Sequence, residues 1–153
     1  MSIIKANLFQ NVSGTTYNMP IAITRYTTTT SWSSSTTSTW NNIPFSFTHT
    51  CQRSDSKLII IGQVHLLSET SGKAQRLRLT RAGIEVYQYS GIQQTSFTGW
   101  YAQGAPFMME FNSNSTSAQT YQFQIYHNTG TAYLNYAYNS SPTSEVVIYE
   151  VLQ

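Results

Sequence analysis

His49 and Cys51 lie two positions apart in "FTHTCQR", close enough for an imidazole and a thiol to share one metal ion. A structural zinc site wants four such donors. The pair stands by itself in its stretch, so a strand-face histidine beside a buried cysteine is the preferred reading. Asp55 is the only aspartate of the chain. A Ser-His-Asp triad would have to use it or a glutamate, yet it sits in "RSDSK", which reads as a turn before a strand. No G-x-S-x-G nucleophile elbow occurs. His65 and His127 fall in strand-like segments with polar neighbours and read as solvated or hydrogen-bonded. No paired-carboxylate motif for glycoside cleavage is visible. The expectation is a protein that is not an enzyme and carries no cofactor and no metal.

The aromatic residues offer binding chemistry instead. "FTGWYAQG" places Phe97, Trp100 and Tyr101 around Gly99 and before Gly104. Rings in a Gly-rich loop can stack on a sugar or lock into a neighbouring protein. They can equally fill the chain's own core. Trp32 and Trp40 punctuate "TRYTTTTSWSSSTTSTW" at 24–40, a run of Thr and Ser without Pro or Gly. Flexible linkers are usually Gly/Ser-rich and stiff ones Pro-rich. This run therefore suits an exposed edge, or a long loop lying on the surface, with the two tryptophans as anchors.

These side chains need strands to hold them. β-branched and aromatic residues dominate, and no segment shows apolar residues at helical spacing with caps. "IAITRY" at 21–26 alternates. "PFSFTH" at 44–49 puts Phe45, Phe47 and His49 on one face. "KLIIIGQVHLL" at 57–67 begins apolar on both faces, then alternates with Val64 and Leu66 inward. "QRLRLTR" at 75–81 sends Leu77 and Leu79 inward, and Ala82-Gly83 turns it into "AGIEVYQY", a hairpin. "PFMMEF" at 106–111, "TYQFQIYH" at 120–127, "TAYLNYAY" at 131–138 and "EVVIYEV" at 145–151 follow. "IKANLF" at 4–9 is a further candidate. Eight to ten short strands with turn signals between them predict an all-β antiparallel sandwich or barrel.

Composition sets the class. The chain has 153 residues, one domain's worth, and a single cysteine, so no disulfide can form within it. Charged residues make up 9 % and the net charge is +2, without a basic tract, which argues against nucleic acid as a partner. Aromatic residues make up 14 %, the reverse of a disordered composition. No run approaches the roughly 20 apolar residues of a membrane span, and residues 1–30 lack the apolar core of a secretion signal. Few charges and many tyrosines leave composition to spare for a subunit interface.

"TWNNIPFSFTHTCQRSDSKLIIIGQVHLL", "QRLRLTRAGIEV" and "EVVIYEV" resemble the tumour-necrosis-factor/C1q-like jelly-roll domains of bacteriophage virion proteins. Such domains occur in tail fibres, head fibres and capsid decoration proteins. The matching motifs run from Trp40 to Ile43, through Ser56-Lys57-Leu58 and Leu77 to Gly83, to Ile148–Val151, with Ala82 standing where the family often has a polar turn residue. The resemblance covers residues 39–153. Residues 1–38 are then an N-terminal arm with the Ser/Thr-rich segment, able to contribute edge strands. It implies a homotrimer at the virion surface, a decoration, head-fibre or short tail-fibre protein partnered by itself and by major capsid or tail proteins. Tyr121, Phe123 and Tyr149 are the expected trimer-interface residues. Trp32, Trp40, Phe97, Trp100 and Tyr101 are the expected contacts to a ligand or partner. The alternative is a carbohydrate-binding module that reads host surface glycans through Trp100 and Tyr101.

Overall fold

The computed structural model describes residues 8–10, 16–18, 20–68, 74–93, 103–136 and 142–152. Its regular elements are all strands. β1 (Leu8–Gln10) and β2 (Thr16–Asn18) pair with each other. The main body is built from β3 (Pro20–Thr28), β4 (Trp32–Ser34), β5 (Trp40–His49), β6 (Ser56–Ser68), β7 (Ala74–Arg81), β8 (Ile84–Gln93), β9 (Gln103–Asn112), β10 (Gln119–His127), β11 (Ala132–Leu134) and β12 (Ser144–Leu152).

These strands form two antiparallel sheets packed as a sandwich. One has the order β5-β10-β7-β8. The other is organised on β6. Along one side of β6 run β12 and then β11; along the other runs β9. β3 closes the outer edge beside β12, and β4 extends from β11. The chain crosses from sheet to sheet repeatedly, and among the described residues the β7–β8 hairpin is the one place where consecutive long strands pair directly. Its turn uses positive φ at both central positions, Ala82 at 50° and Gly83 at 83°, the geometry whose twist suits a two-residue hairpin.

The core is what the alternation predicts. Ile43, Phe45 and Phe47 of β5, Leu77 and Leu79 of β7, and Tyr121, Phe123 and Ile125 of β10 face Leu58, Ile60, Val64, Phe107, Met109, Val146 and Ile148 of the other sheet. Rings organise the middle: Phe45 stacks on Phe123 at 5.0 Å and Phe47 on Tyr121 at 5.2 Å, with Tyr26 stacked on Phe47 at 4.5 Å. Such pairs add to the area term by roughly 0.5–1.5 kcal/mol each. Tyr121 and Phe123 are both 0 % exposed. Expected at a trimer seam, both rings are turned by period-2 alternation to the inside of the chain's own sandwich.

The Ser/Thr-rich stretch is ordered as structure. Its first part belongs to β3, which pairs with β12 from Pro20 to Thr28. Its middle is β4, paired with β11. Buried Asn135 pins the link between them, donating from Nδ2 to the carbonyls of Thr28 at 3.0 Å and Thr30 at 3.3 Å. Its Oδ1 accepts the Ser144 hydroxyl at 2.6 Å, and Ser144 Oγ in turn accepts the His65 amide at 2.9 Å. Asn135 holds φ at 49°, a region that asparagine tolerates better than most residues.

Candidate functional site

Two surfaces and one buried cluster carry features that folding alone does not require. The first surface is the outward face of the β3-β12-β6-β9 sheet. Register sets Ile23, Tyr149, Ile59 and Glu110 in one cross-strand row, and Arg25, Val147, Ile61 and Met108 in the next. Ile23 is 62 % exposed and Met108 66 %, with Ile61 also open to solvent. Ion pairs flank the apolar residues, Arg25 with Glu145 and Lys57 with Glu110 at 2.6 Å. An exposed apolar patch bordered by charge is the usual mark of a contact surface. Tyr149 lies here, half-buried, on the outer rather than the inner face.

The second surface lies on the opposite sheet. The Arg78 guanidinium sits 4.3 Å over the Trp40 ring, Trp40 meets Tyr126 at 5.5 Å, and Arg76 lies 5.4 Å from the Tyr126 ring. Arg78 Nε donates to Gln124 Oε1 at 2.6 Å, and Gln124 Nε2 donates to Asn42 Oδ1 at 2.6 Å. Trp40 is half-buried, with its ring covered in part by Arg78. Trp32, in contrast, packs against the core. Phe97, Trp100 and Tyr101 lie outside the described residues.

The buried cluster is at one end of the sandwich. His49 closes β5, Cys51 follows in the loop to β6, and Glu150 projects inward from β12; their donor atoms all lie within 4.8 Å of one another. Glu150 is held firmly. Its Oε2 accepts the Gln52 amide at 3.0 Å, and its Oε1 accepts the Arg53 amide at 3.0 Å and the Ser56 hydroxyl at 2.7 Å. Burial pushes the Cys51 thiol up to about 11, the Glu150 charge adding to the shift. The thiol is therefore protonated at neutral pH, the wrong state for a nucleophile. Burial lowers His49, with Glu150 acting in the opposite sense. Tyr26 Oη donates to the Thr48 carbonyl at 2.7 Å and stands 3.4 Å from His49 Nδ1.

Sequence reasoning pairs His49 with Cys51 but misses Glu150, which is about a hundred positions away. A signal exists: in "EVVIYEV" the second glutamate occupies an inward position of the alternation, in line with Val146 and Ile148. Asp55 is no part of this cluster. It pairs with Arg53 through two contacts of 2.8 and 2.7 Å at the surface. His127 is buried, with Nδ1 at 3.4 Å from the Thr129 carbonyl, and His65 lies 3.1 Å from the Gln63 amide.

No family model matches the chain, and no curated protein matches it. Solved structures do. Among them is the VP2 subviral particle of infectious bursal disease virus, with a TM-score of 0.54 and 14 % identity over 98 % of this chain and 37 % of that one. The Gt strain of the same virus gives a TM-score of 0.51 and 15 % identity over 98 % of this chain and 43 % of that one. The chain thus spans well under half the length of these proteins. At such identity the likeness shows a shared β-sandwich fold.

Proposed function

We propose that this chain is a non-enzymatic structural protein of a bacteriophage virion, a homotrimeric jelly roll that serves as a decoration, head-fibre or short tail-fibre protein. The observation that carries the reading is the outward apolar face on which Ile23, Ile61 and Met108 stand open. A second and a third copy are its occupants. The pairing order β3-β12-β6-β9 against β5-β10-β7-β8 supports a jelly roll, an architecture frequent in capsid proteins. Likeness to proteins whose structures were solved as virus-derived particles supports self-association. Closed symmetric oligomers are the usual outcome of such a face. Native mass is the test. One chain weighs 17.3 kDa, so a trimer has a mass near three times that value. A monomer at micromolar concentration would overturn the trimer.

A second reading rests on the Trp40–Tyr126 surface. Half-buried rings beside Asn42, Gln124 and two arginines offer a sugar both an apolar face and hydrogen-bond partners. Host glycans are then a ligand of the assembled protein. Binding on a glycan array that Trp40→Ala abolishes supports this; an array without signal removes it.

A further inference from the structure

We propose that His49, Cys51 and Glu150 form a binding site for one zinc-class divalent cation, with Cys51 Sγ as thiolate, His49 Nε2 and one oxygen of Glu150 as its protein ligands. Hydrogen accounting at the histidine leads there. The Tyr26 hydroxyl spends its only proton on the Thr48 carbonyl at 2.7 Å. Towards His49 Nδ1 it can therefore only accept, which places the ring proton on Nδ1. Nε2 is left as a bare acceptor. His49 is 95 % buried, and Nε2 finds no hydrogen-bond partner. A buried lone pair without a donor is costly, and the donor atoms of a thiol and a carboxylate stand within 4.8 Å of the ring's own.

The donor set fits such an ion. Thiolate, imidazole and carboxylate are the three zinc ligand types, and three protein ligands leave a fourth position for water. Zn–S near 2.3 Å and Zn–N near 2.0–2.1 Å put tetrahedral donors roughly 3.5 Å apart, so the observed cluster needs to close by about an ångström. A carboxylate has about four acceptor positions. Glu150 uses three on Gln52, Arg53 and Ser56, which orients it and leaves one for the metal. Tyr26 supplies the outer contact that zinc-bound histidines characteristically make through their other nitrogen. Charge closes as well: a divalent cation, one thiolate and one carboxylate sum to zero, as a buried site requires. Binding is a proton exchange. The S–H bond of Cys51 breaks, the sulfur keeps the electron pair and donates it to the metal, and the proton leaves to solvent.

Cobalt(II) added to the purified full-length protein in the absence of thiol reagents tests this directly. One equivalent per chain should give a thiolate-to-cobalt charge-transfer band and intense tetrahedral visible bands. About one proton per metal should be released at pH 7.5. Zinc should then displace the cobalt and bleach the spectrum. Cys51→Ser should abolish the charge-transfer band, and Tyr26→Phe should weaken affinity roughly 10–100-fold. The wild-type spectrum decides the thiolate on its own, so the test stands even if a variant fails to fold. A pale octahedral cobalt spectrum in the folded wild type, or a charge-transfer band unchanged in folded Cys51→Ser, overturns the site.

Discussion

Glu150 Oε1 accepts the Arg53 amide at 3.0 Å across 97 positions of sequence. With the bonds to Gln52 and Ser56, one carboxylate on β12 fixes the whole β5–β6 connection. Glu150→Gln offers these donors one oxygen and turns an NH2 group against the others. Hydrogen bonds to a charged group contribute about 1.5–3 kcal/mol each, and a stranded buried donor costs as much again. A loss of about 3 kcal/mol or more is expected from urea unfolding; a loss below 1 kcal/mol means water reaches the loop amides and replaces the carboxylate.

Gly62 marks a close approach in the middle of β6. A Cβ there meets the Glu145 carbonyl oxygen, the Phe107 ring at 2.8 Å and Val146 at 2.9 Å. Gly62→Ala should therefore cost about 1–3 kcal/mol, as overpacking does, despite the better strand propensity of alanine. Thermal unfolding reads it, and an unchanged midpoint would show that β12 shifts freely against β6.

Phe123→Ala distinguishes a core ring from a seam ring. The side chain is wholly buried and meets Phe45, Phe47 and Phe107. Truncation should lower the unfolding free energy by about 3–5 kcal/mol. A variant that keeps its stability and loses only its assembly would contradict the packing described here.

Charges on the outward face should act the other way. Ile61→Asp with Met108→Asp removes apolar side chains that already face solvent, so the fold should lose only about 1 kcal/mol per site, the poor strand propensity of aspartate and the like charges facing each other across β6 and β9 included. The native mass should drop to that of one chain. An assembled double variant would place the subunit contacts elsewhere.

Acid should weaken the fold through His65. Burial lowers its pKa from the ordinary 6.5, Glu145 opposing. As pH falls through 6.5 the unfolded chain takes up a proton that the folded chain refuses, so stability falls with pH. The loss grows until the folded imidazole also titrates, then levels off. Urea midpoints at pH 7.5 and 5.5 should differ in that sense, and His65→Gln should shrink the difference.

Strands were legible where one face is buried. Phe45, Phe47 and His49, or Leu77 and Leu79, alternate so cleanly that both element and facing follow from sequence. The Ala82-Gly83 turn was legible because its backbone demands positive φ. β4 was not, since "WSS" carries no alternation and becomes a strand only through its pairing with β11. The part of 131–138 that the structure describes as strand is only Ala132–Leu134, because Asn135 leaves the ladder to bond Thr28 and Thr30. Pairing order was also out of reach. Nothing local tells β12 to lie between β3 and β6, and Glu150 joins His49 and Cys51 only because it does. The outward apolar row was hidden for a related reason: an apolar-on-both-faces strand such as "LIII" reads as central, and only the register shows that Ile61 meets solvent.

The position of β12 bears on how the protein is made. It is synthesised after every other strand described here, yet it fills the middle of its sheet, bonded to β3 on one side and β6 on the other. A ribosome-bound chain that stops short of residue 144 presents two unsatisfied strand edges, the kind of surface that recruits foreign strands. The sandwich can close only after translation has passed residue 152. Folding is thereby limited by long-range pairing, and nascent chains in a crowded cell will need shielding until β12 inserts.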